Sequence, residues 1–199
     1  MATRKISSEQ IALGKVMRLG ISGYNRIMIV GNNGSGKSFL AKELSAITGL
    51  PLVHLDVAFW KPNWEKTPEE EWVKKQMTFI AKEKWIIDGN HCSTMELRYK
   101  TAEMVIFLDM NRLLCQFGLL KRNGAKRSDM PQYLKEKLDL NFVQFCRRMW
   151  DFPKSGKITI MELHKKYPDK PFIVIKSRNK LNKMLVEWRN EAVYCYSPI

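Results

Sequence analysis

The sequence predicts an α/β protein built on a parallel five-stranded sheet flanked by helices. Three observations carry that prediction. Five short runs, at 26–30, 52–55, 85–87, 105–108 and 172–175, are dominated by apolar and β-branched residues. Runs of this length without polar alternation read as strands buried on both faces, the usual state of strands in a parallel sheet. Helical stretches separate the runs, as crossovers between parallel strands require. Finally, a glycine-rich octapeptide, Gly31 to Ser38, follows the first run directly and opens a helix.

The elements follow in order. Residues 1–24 read as an N-terminal extension to a single domain over 25–199. Within the extension, Ser7 and Gln10 suit a capping box for a short helix carrying Ile11, Leu13, Val16 and Met17, and a loop follows around Gly20 and Gly23. The first strand covers 26–30, and a helix spans 37–48, stopped at Gly49 with Pro51 just beyond. Leu52 to Leu55 form the second strand, ending at Asp56. The aromatic and proline-rich stretch from Asp56 to Trp64 reads as a loop. Thr67-Pro68-Glu69-Glu70 marks a helix start in which Thr67 caps, Pro68 takes the first turn and Glu70 reaches back. That helix runs to about Glu83, with Trp72, Gln76, Phe79 and Ile80 on one face. The third strand, 85–87, ends at Asp88-Gly89-Asn90, the fourth, 105–108, ends at Asp109, and the fifth is 172–175. From Arg112 to Tyr167 the pattern is helical and basic, defining a lid segment over about 112–166.

Composition narrows the function classes. A chain of 199 residues with 45% hydrophobic and 27% charged residues suits one soluble globular domain. No apolar stretch reaches the length of a membrane helix, and the polar N-terminus lacks a signal-peptide core. Cys92, Cys115, Cys146 and Cys195 are scattered, which fits reduced cytosolic thiols. His54, His91 and His164 are equally dispersed, which argues against a His/Cys metal site. The formal net charge is +14, and +8 of it lies between Arg112 and Lys166. Such a field attracts polyanions, nucleotides and nucleic acids alike.

The octapeptide decides among these. Gly31-Asn32-Asn33-Gly34-Ser35-Gly36-Lys37-Ser38 matches the G-x-x-x-x-G-K-[ST] phosphate-binding loop in full. Glycines at 31, 34 and 36 let the backbone turn its N–H groups inward as an anion nest, and the helix beginning at Lys37 and Phe39 adds its positive end. Lys37 is expected to reach the β- and γ-phosphates of ATP, and the Ser38 hydroxyl to ligate Mg²⁺. Parallel sheets hold ligands at the carboxyl ends of their strands. Those ends carry Asp56, Asp88-Gly89-Asn90, Asp109 and Lys176-Ser177-Arg178, so three acidic residues ring the phosphate site and form a Mg²⁺ and acid/base environment.

With these segments together, the chain resembles the adenylate-kinase-like P-loop proteins of the DNA topology modulation protein-related family. The matching segments are Gly31 to Ser38, Leu55 to Trp64, Trp85 to Asn90, Leu97-Arg98 with Val105 to Asp109, Lys121-Arg122, Arg127 to Met130, Trp150 and Lys176-Ser177-Arg178. The wider kinase resemblance implies a P-loop nucleoside/nucleotide-kinase-like fold, ATP with Mg²⁺, and phosphoryl transfer to a small molecule. It implies that Asp56 orients the acceptor or takes its hydroxyl proton and that Trp60 and Trp64 wall the acceptor. Asp88, Asn90 and Arg98 join them on the acceptor side, while Arg178 rests by the nucleotide. Asp109, ahead of Asp88, holds the Mg²⁺ water, and Arg122 or Arg127 closes from the lid on the γ-phosphate. Adenylate kinases carry Gly-Phe-Pro-Arg where this chain has Asp88-Gly89-Asn90-His91, which argues against AMP as acceptor. The alternatives are a nucleotide-binding regulatory protein that engages DNA or RNA through the basic segment, and a slow ATPase. The sequence shows no helix-turn-helix, zinc finger or RNA-binding aromatic signature.

Overall fold

The computed structural model describes residues 20–122, 146–147 and 149–196, without the side chains of 120–122 and 193–196. The expected helix of the N-terminal extension lies outside the described residues. Strands β1 (Arg26–Gly31), β2 (Leu52–His54), β3 (Trp85–Asp88), β4 (Met104–Leu108) and β5 (Phe172–Ile175) form one sheet in the order β2-β3-β1-β4-β5. Every ladder is parallel. β1 therefore sits in the middle, and its carboxyl end faces the crevice where the strand order reverses, the place where open α/β sheets bind ligands.

Strand residues feed two cores alternately, because successive side chains point to opposite faces. Ile27 and Ile29 of β1, with Met104, Ile106 and Leu108 of β4, pack on one face against α1 (Lys37–Thr48) through Leu40, Ala41 and Leu44. Cys115 and Leu119 of α5 (Arg112–Arg122) and Leu181, Leu185 and Trp188 of α7 (Arg178–Tyr196) complete that core. Met28 and Val30, with Val105 and Phe107, pack on the other face. There they meet Trp72 and Ile80 of α3 (Glu69–Ile80), Met95 and Tyr99 of α4 (Met95–Thr101), and Ile160 and Leu163 of α6 (Gly156–Lys166). Two covered faces explain why the strand runs are apolar throughout.

The sequence reading needs three corrections. The second strand stops at His54, and the stretch read as a loop contains helix α2 (Leu55–Phe59) and a 3₁₀ turn over Pro62–Trp64. Leu55 is completely buried, so packing recruits it into a short helix that propensity alone does not announce. Helix α3 begins at Glu69 and ends at Ile80 instead of near Glu83, with Pro68 just outside it and no side-chain cap. Thr67 does not cap it, because its hydroxyl donates to the Phe59 carbonyl and its N–H meets the same oxygen at 3.2 Å. Those bonds fasten the start of α3 to the end of α2, beside the isolated bridge from Trp60 to Lys66. The three glutamates Glu69, Glu70 and Glu71 still favour the positive end of α3.

Candidate active site

The phosphate loop runs from the end of β1 to the start of α1 over the middle of the sheet. Its glycines have positive φ: +146° at Gly31, +74° at Gly34 and +97° at Gly36. Space requires glycine as well at Gly31 and Gly34, where the neighbour is backbone; at Gly36 the neighbour is the flexible end of Arg178, and the backbone angle is the constraint. A Cβ at Gly31 would lie 2.5 Å from the Leu108 carbonyl oxygen, one at Gly34 would lie 2.2 Å from that of Cys115, and one at Gly36 would lie 2.3 Å from Nη1 of Arg178. Helix α5 thus rests backbone to backbone on the loop, and a Cβ at its Gly118 would meet the Gly34 oxygen at 2.9 Å. Asn32 fastens the loop from inside: its Nδ2 donates to Met149 O at 3.0 Å, and its Oδ1 accepts from Asn33 N–H at 2.9 Å. Lys37, 7% exposed, donates to Asn32 O at 3.1 Å and to Asn33 Oδ1 at 3.3 Å.

This loop fits a polyphosphate. Gly36 caps α1 in the left-handed region with no side-chain hydrogen bond, and the helical ladder begins only at Leu40 N–H to Gly36 O. The amides of Lys37, Ser38 and Phe39 therefore face the loop without a helical acceptor. Ser35 Oγ is buried with no hydrogen-bond partner, an orphan donor inside the cradle. Among the described residues, no group of three or more His, Cys, Asp or Glu side chains forms a metal cage. A magnesium ion here would rely on Ser38, phosphate oxygens and water, the usual manner for this ion.

Every strand end named from the sequence lies at the same edge of the sheet, and the structure distinguishes their surroundings. Asp88 is 4% exposed and its Oδ1 meets His54 Nδ1 at 2.7 Å. Both lie on the face covered by α1, two residues beyond Ile86 and Leu52, which pack into that core. Asp109 is held by Lys157 of α6, whose Nζ donates to both carboxylate oxygens at 3.0 and 2.8 Å. Asp56 sits in the first turn of α2 with 57% of its side chain exposed, 3.4 Å from Nε2 of His91. Phe59 packs against Trp60, Trp72 and His91 at 5.0, 5.1 and 4.6 Å between ring centroids. Trp60 meets Trp64 edge to face at 5.6 Å between ring centroids. Asn63 and Trp64 both adopt φ of 60°, an uncommon conformation that places Trp64 there.

Arg98 and Asn90 lie differently from a residue that touches an acceptor. Arg98 has no exposed surface. Its Nη1 donates to Gly89 O at 3.1 Å, and its Nη2 donates to Asn90 O and, at 3.1 Å, to His91 O. Burial lowers its guanidinium from the usual 12.5 to about 9, which leaves it charged at neutral pH. The Asn90 amide is engaged with Gly31, donating to its oxygen at 2.8 Å and accepting from its N–H at 3.1 Å. Arg178 begins α7 with its guanidinium against Gly36. Arg122 ends α5 with its side chain outside the described residues, and Arg127 lies wholly outside them. Sequence reasoning passed over His54 and Lys157. His54 escaped because the sequence carries the second strand through Leu55 to Asp56, and only the register of β2 with β3 puts it beside Asp88.

No family model matches the chain, and no curated protein matches it in sequence. Solved structures do share its architecture. The shikimate kinase of Bacteroides thetaiotaomicron superposes with a TM-score of 0.53 at 16% identity, covering 85% of this chain and 98% of that one. The shikimate kinase of Acinetobacter baumannii, solved in complex with shikimate, gives 0.55 at 14% identity over 88% and 97%. The likeness defines the class: a P-loop kinase-like α/β fold. Among the described residues, no helix is long and apolar enough to cross a membrane.

Proposed function

We propose that the protein is an ATP-dependent phosphotransferase that moves the γ-phosphoryl group to a hydroxyl of a small-molecule acceptor, of which a nucleoside or nucleotide is one class. One observation carries the reading. A glycine cradle shaped for polyphosphate and the exposed carboxylate of Asp56 share one edge of the sheet, joined by the turn from Asp88 to His91. The same reading places the chain with the topology-modulation-related proteins that its strand-end motifs resemble, and in the reducing cytosol.

In this reading the amides from Gly34 to Phe39 bind the phosphates, and Lys37 exchanges its two loop acceptors for phosphate oxygens. Ser38 and Asp88 would hold Mg²⁺, which would neutralise charge on the transferring group. Asp88 takes this role ahead of Asp109 because it lies on α1's side of the sheet and His54 meets only one of its oxygens, whereas Lys157 bonds both oxygens of Asp109. Asp56 receives the acceptor proton as the acceptor oxygen bonds to the γ-phosphorus and the bond to the β-bridging oxygen breaks, releasing ADP. Arg178 steadies the nucleotide, and Arg122 or Arg127 approaches the γ-phosphate on lid closure.

The test is ADP release in Mg²⁺ buffer against a panel of nucleosides, nucleotides, sugars and other small hydroxylated metabolites, with Lys37→Ala alongside. Acceptor-dependent release that disappears in Lys37→Ala is expected. Release indifferent to every acceptor would leave a slow ATPase instead.

A further inference from the structure

Gly31 is the last residue of β1 and the first of the phosphate loop. The β1–β3 ladder stops before it: the final register pair is Ile29 with Asp88, and Gly89 N–H donates to Ile29 O at 3.1 Å. Beyond that pair β3 turns away, with φ of +126° at Gly89 and +40° at His91. The Gly31 N–H and C=O point to the side that β3 has left, and both would be unpaired in a largely buried position. The side chain of Asn90 supplies the missing rung. Its Oδ1 accepts from Gly31 N–H at 3.1 Å and its Nδ2 donates to Gly31 O at 2.8 Å, as an opposing peptide group would.

Asn90 can do this because its backbone is fixed in turn. The Arg98 fork bonds the carbonyl oxygens of Gly89, Asn90 and His91, three consecutive residues of the turn. The guanidinium presents its donors in a rigid planar fork, which fixes the three carbonyls in one arrangement, whereas an ammonium offers three freely rotating donors from one point. The far end of the same turn is His91, whose ring packs against Phe59 and Trp72 at 4.6 and 4.8 Å between centroids and whose Nε2 is 3.4 Å from Asp56 Oδ1. One turn therefore touches the first glycine of the phosphate loop at one end and the Asp56 carboxylate at the other.

We infer that Asn90 and Arg98 are positioning residues that couple the two halves of the site, so that a nucleotide on the phosphate loop orders the turn beside Asp56. The inference rests on the phosphotransferase reading in requiring a nucleotide on the loop. Coupling of this kind is reciprocal between binding sites. Loop and turn are coupled because two hydrogen bonds from one planar amide hold Gly31 and Asn90 in a single register.

Hydrogen exchange on the full chain tests this, with Mg·ADP as the probe. In the wild type, ADP is expected to slow exchange in residues 31–38 and also about tenfold in residues 89–98, a coupling of about 1.4 kcal/mol. In Asn90→Ala, ADP is expected to protect 31–38 still, while the change in 89–98 falls below about twofold, since the connecting rung is gone. Asn90→Asp is the second variant in case Asn90→Ala does not fold. It keeps an acceptor for Gly31 N–H, loses the donor to Gly31 O, and is expected to lose the same remote protection. Equal protection of 89–98 in wild type and in the variant would overturn the coupling while leaving the nucleotide site intact. Failure of wild-type protein to bind ADP would overturn the phosphotransferase reading and the inference with it.

Discussion

His54 and Asp88 are register partners at the ends of β2 and β3, and their side chains meet at 2.7 Å. Alignment in the sheet brings them together, for Cα partners on neighbouring strands share a face. The Asp88 side chain is 5% exposed, so its carboxylate depends on what the protein supplies. His54→Ala is expected to lower stability by about 1–3 kcal/mol, the usual cost of stripping a buried polar group of its partner. His54→Asn should recover part of it, because the amide nitrogen falls near the place of Nδ1. Urea denaturation reads both. An unchanged midpoint in His54→Ala would show that the carboxylate is satisfied elsewhere.

The two strand-end carboxylates flanking β1 should separate in function. Asp88→Asn is expected to lower Mg²⁺-dependent turnover about a hundredfold, the scale of losing one well-placed electrostatic group. Asp109→Asn should cost much less in turnover, since Lys157 bonds both of its carboxylate oxygens whereas His54 meets only one of those of Asp88. Its main effect should be stability, about 1 kcal/mol or less for a partly exposed ion pair. Steady-state kinetics across a Mg²⁺ series distinguish them, and the reverse order of effects would give the metal role to Asp109.

Gly34 and Gly49 have nearly the same φ, 74° and 70°, in opposite surroundings. A Cβ at Gly49 meets nothing within 4 Å, whereas one at Gly34 would lie 2.2 Å from a backbone oxygen. Gly49→Ala should therefore cost only the left-handed backbone term of about 1–2 kcal/mol and leave nucleotide affinity alone. Gly34→Ala adds a clash that no rotamer relieves and should weaken ADP binding by at least about tenfold. Calorimetric titration of both variants checks the pair.

Glu96 joins α4 to the end of α6, accepting from Lys166 Nζ at 2.8 Å and from Tyr167 OH at 2.7 Å. The Lys166 bond first, then the Tyr167 bond, hold its carboxyl down from the usual 4.5 to about 2. A carboxyl depressed in the folded state contributes its full stability above the unfolded value and loses it as pH falls through the folded one. The stability gap between wild type and Glu96→Gln should therefore be constant near neutrality and close between pH 4.5 and about 2. A gap that persists at the acid end would assign the effect to packing.

The strands and the phosphate loop were legible because their signals are local. An apolar run such as Met104–Leu108 admits few placements, and a lysine and serine after Gly36 serve a phosphate. What escaped depends on distant partners. Nothing in the sequence near Thr67 says that its hydroxyl will prefer the Phe59 carbonyl to the helix it precedes. An arginine at 98 looks like a ligand contact until the turn is seen to surround it with carbonyls. Lys157 stands 48 residues from Asp109 and has no motif to mark it.

Where α5 crosses the phosphate loop, main chain meets main chain at Gly34, Cys115 and Gly118. Side chains between two elements act as springs, since rotamer changes absorb small displacements. Here that cushioning is missing. A tilt of α5 arrives at the loop at its full amplitude, and a loop that tightens around an anion pushes back on the helix that opens the basic segment from Arg112. The two glycines turn a packing contact into a linkage, and widening either by one methyl group should free the helix from the loop.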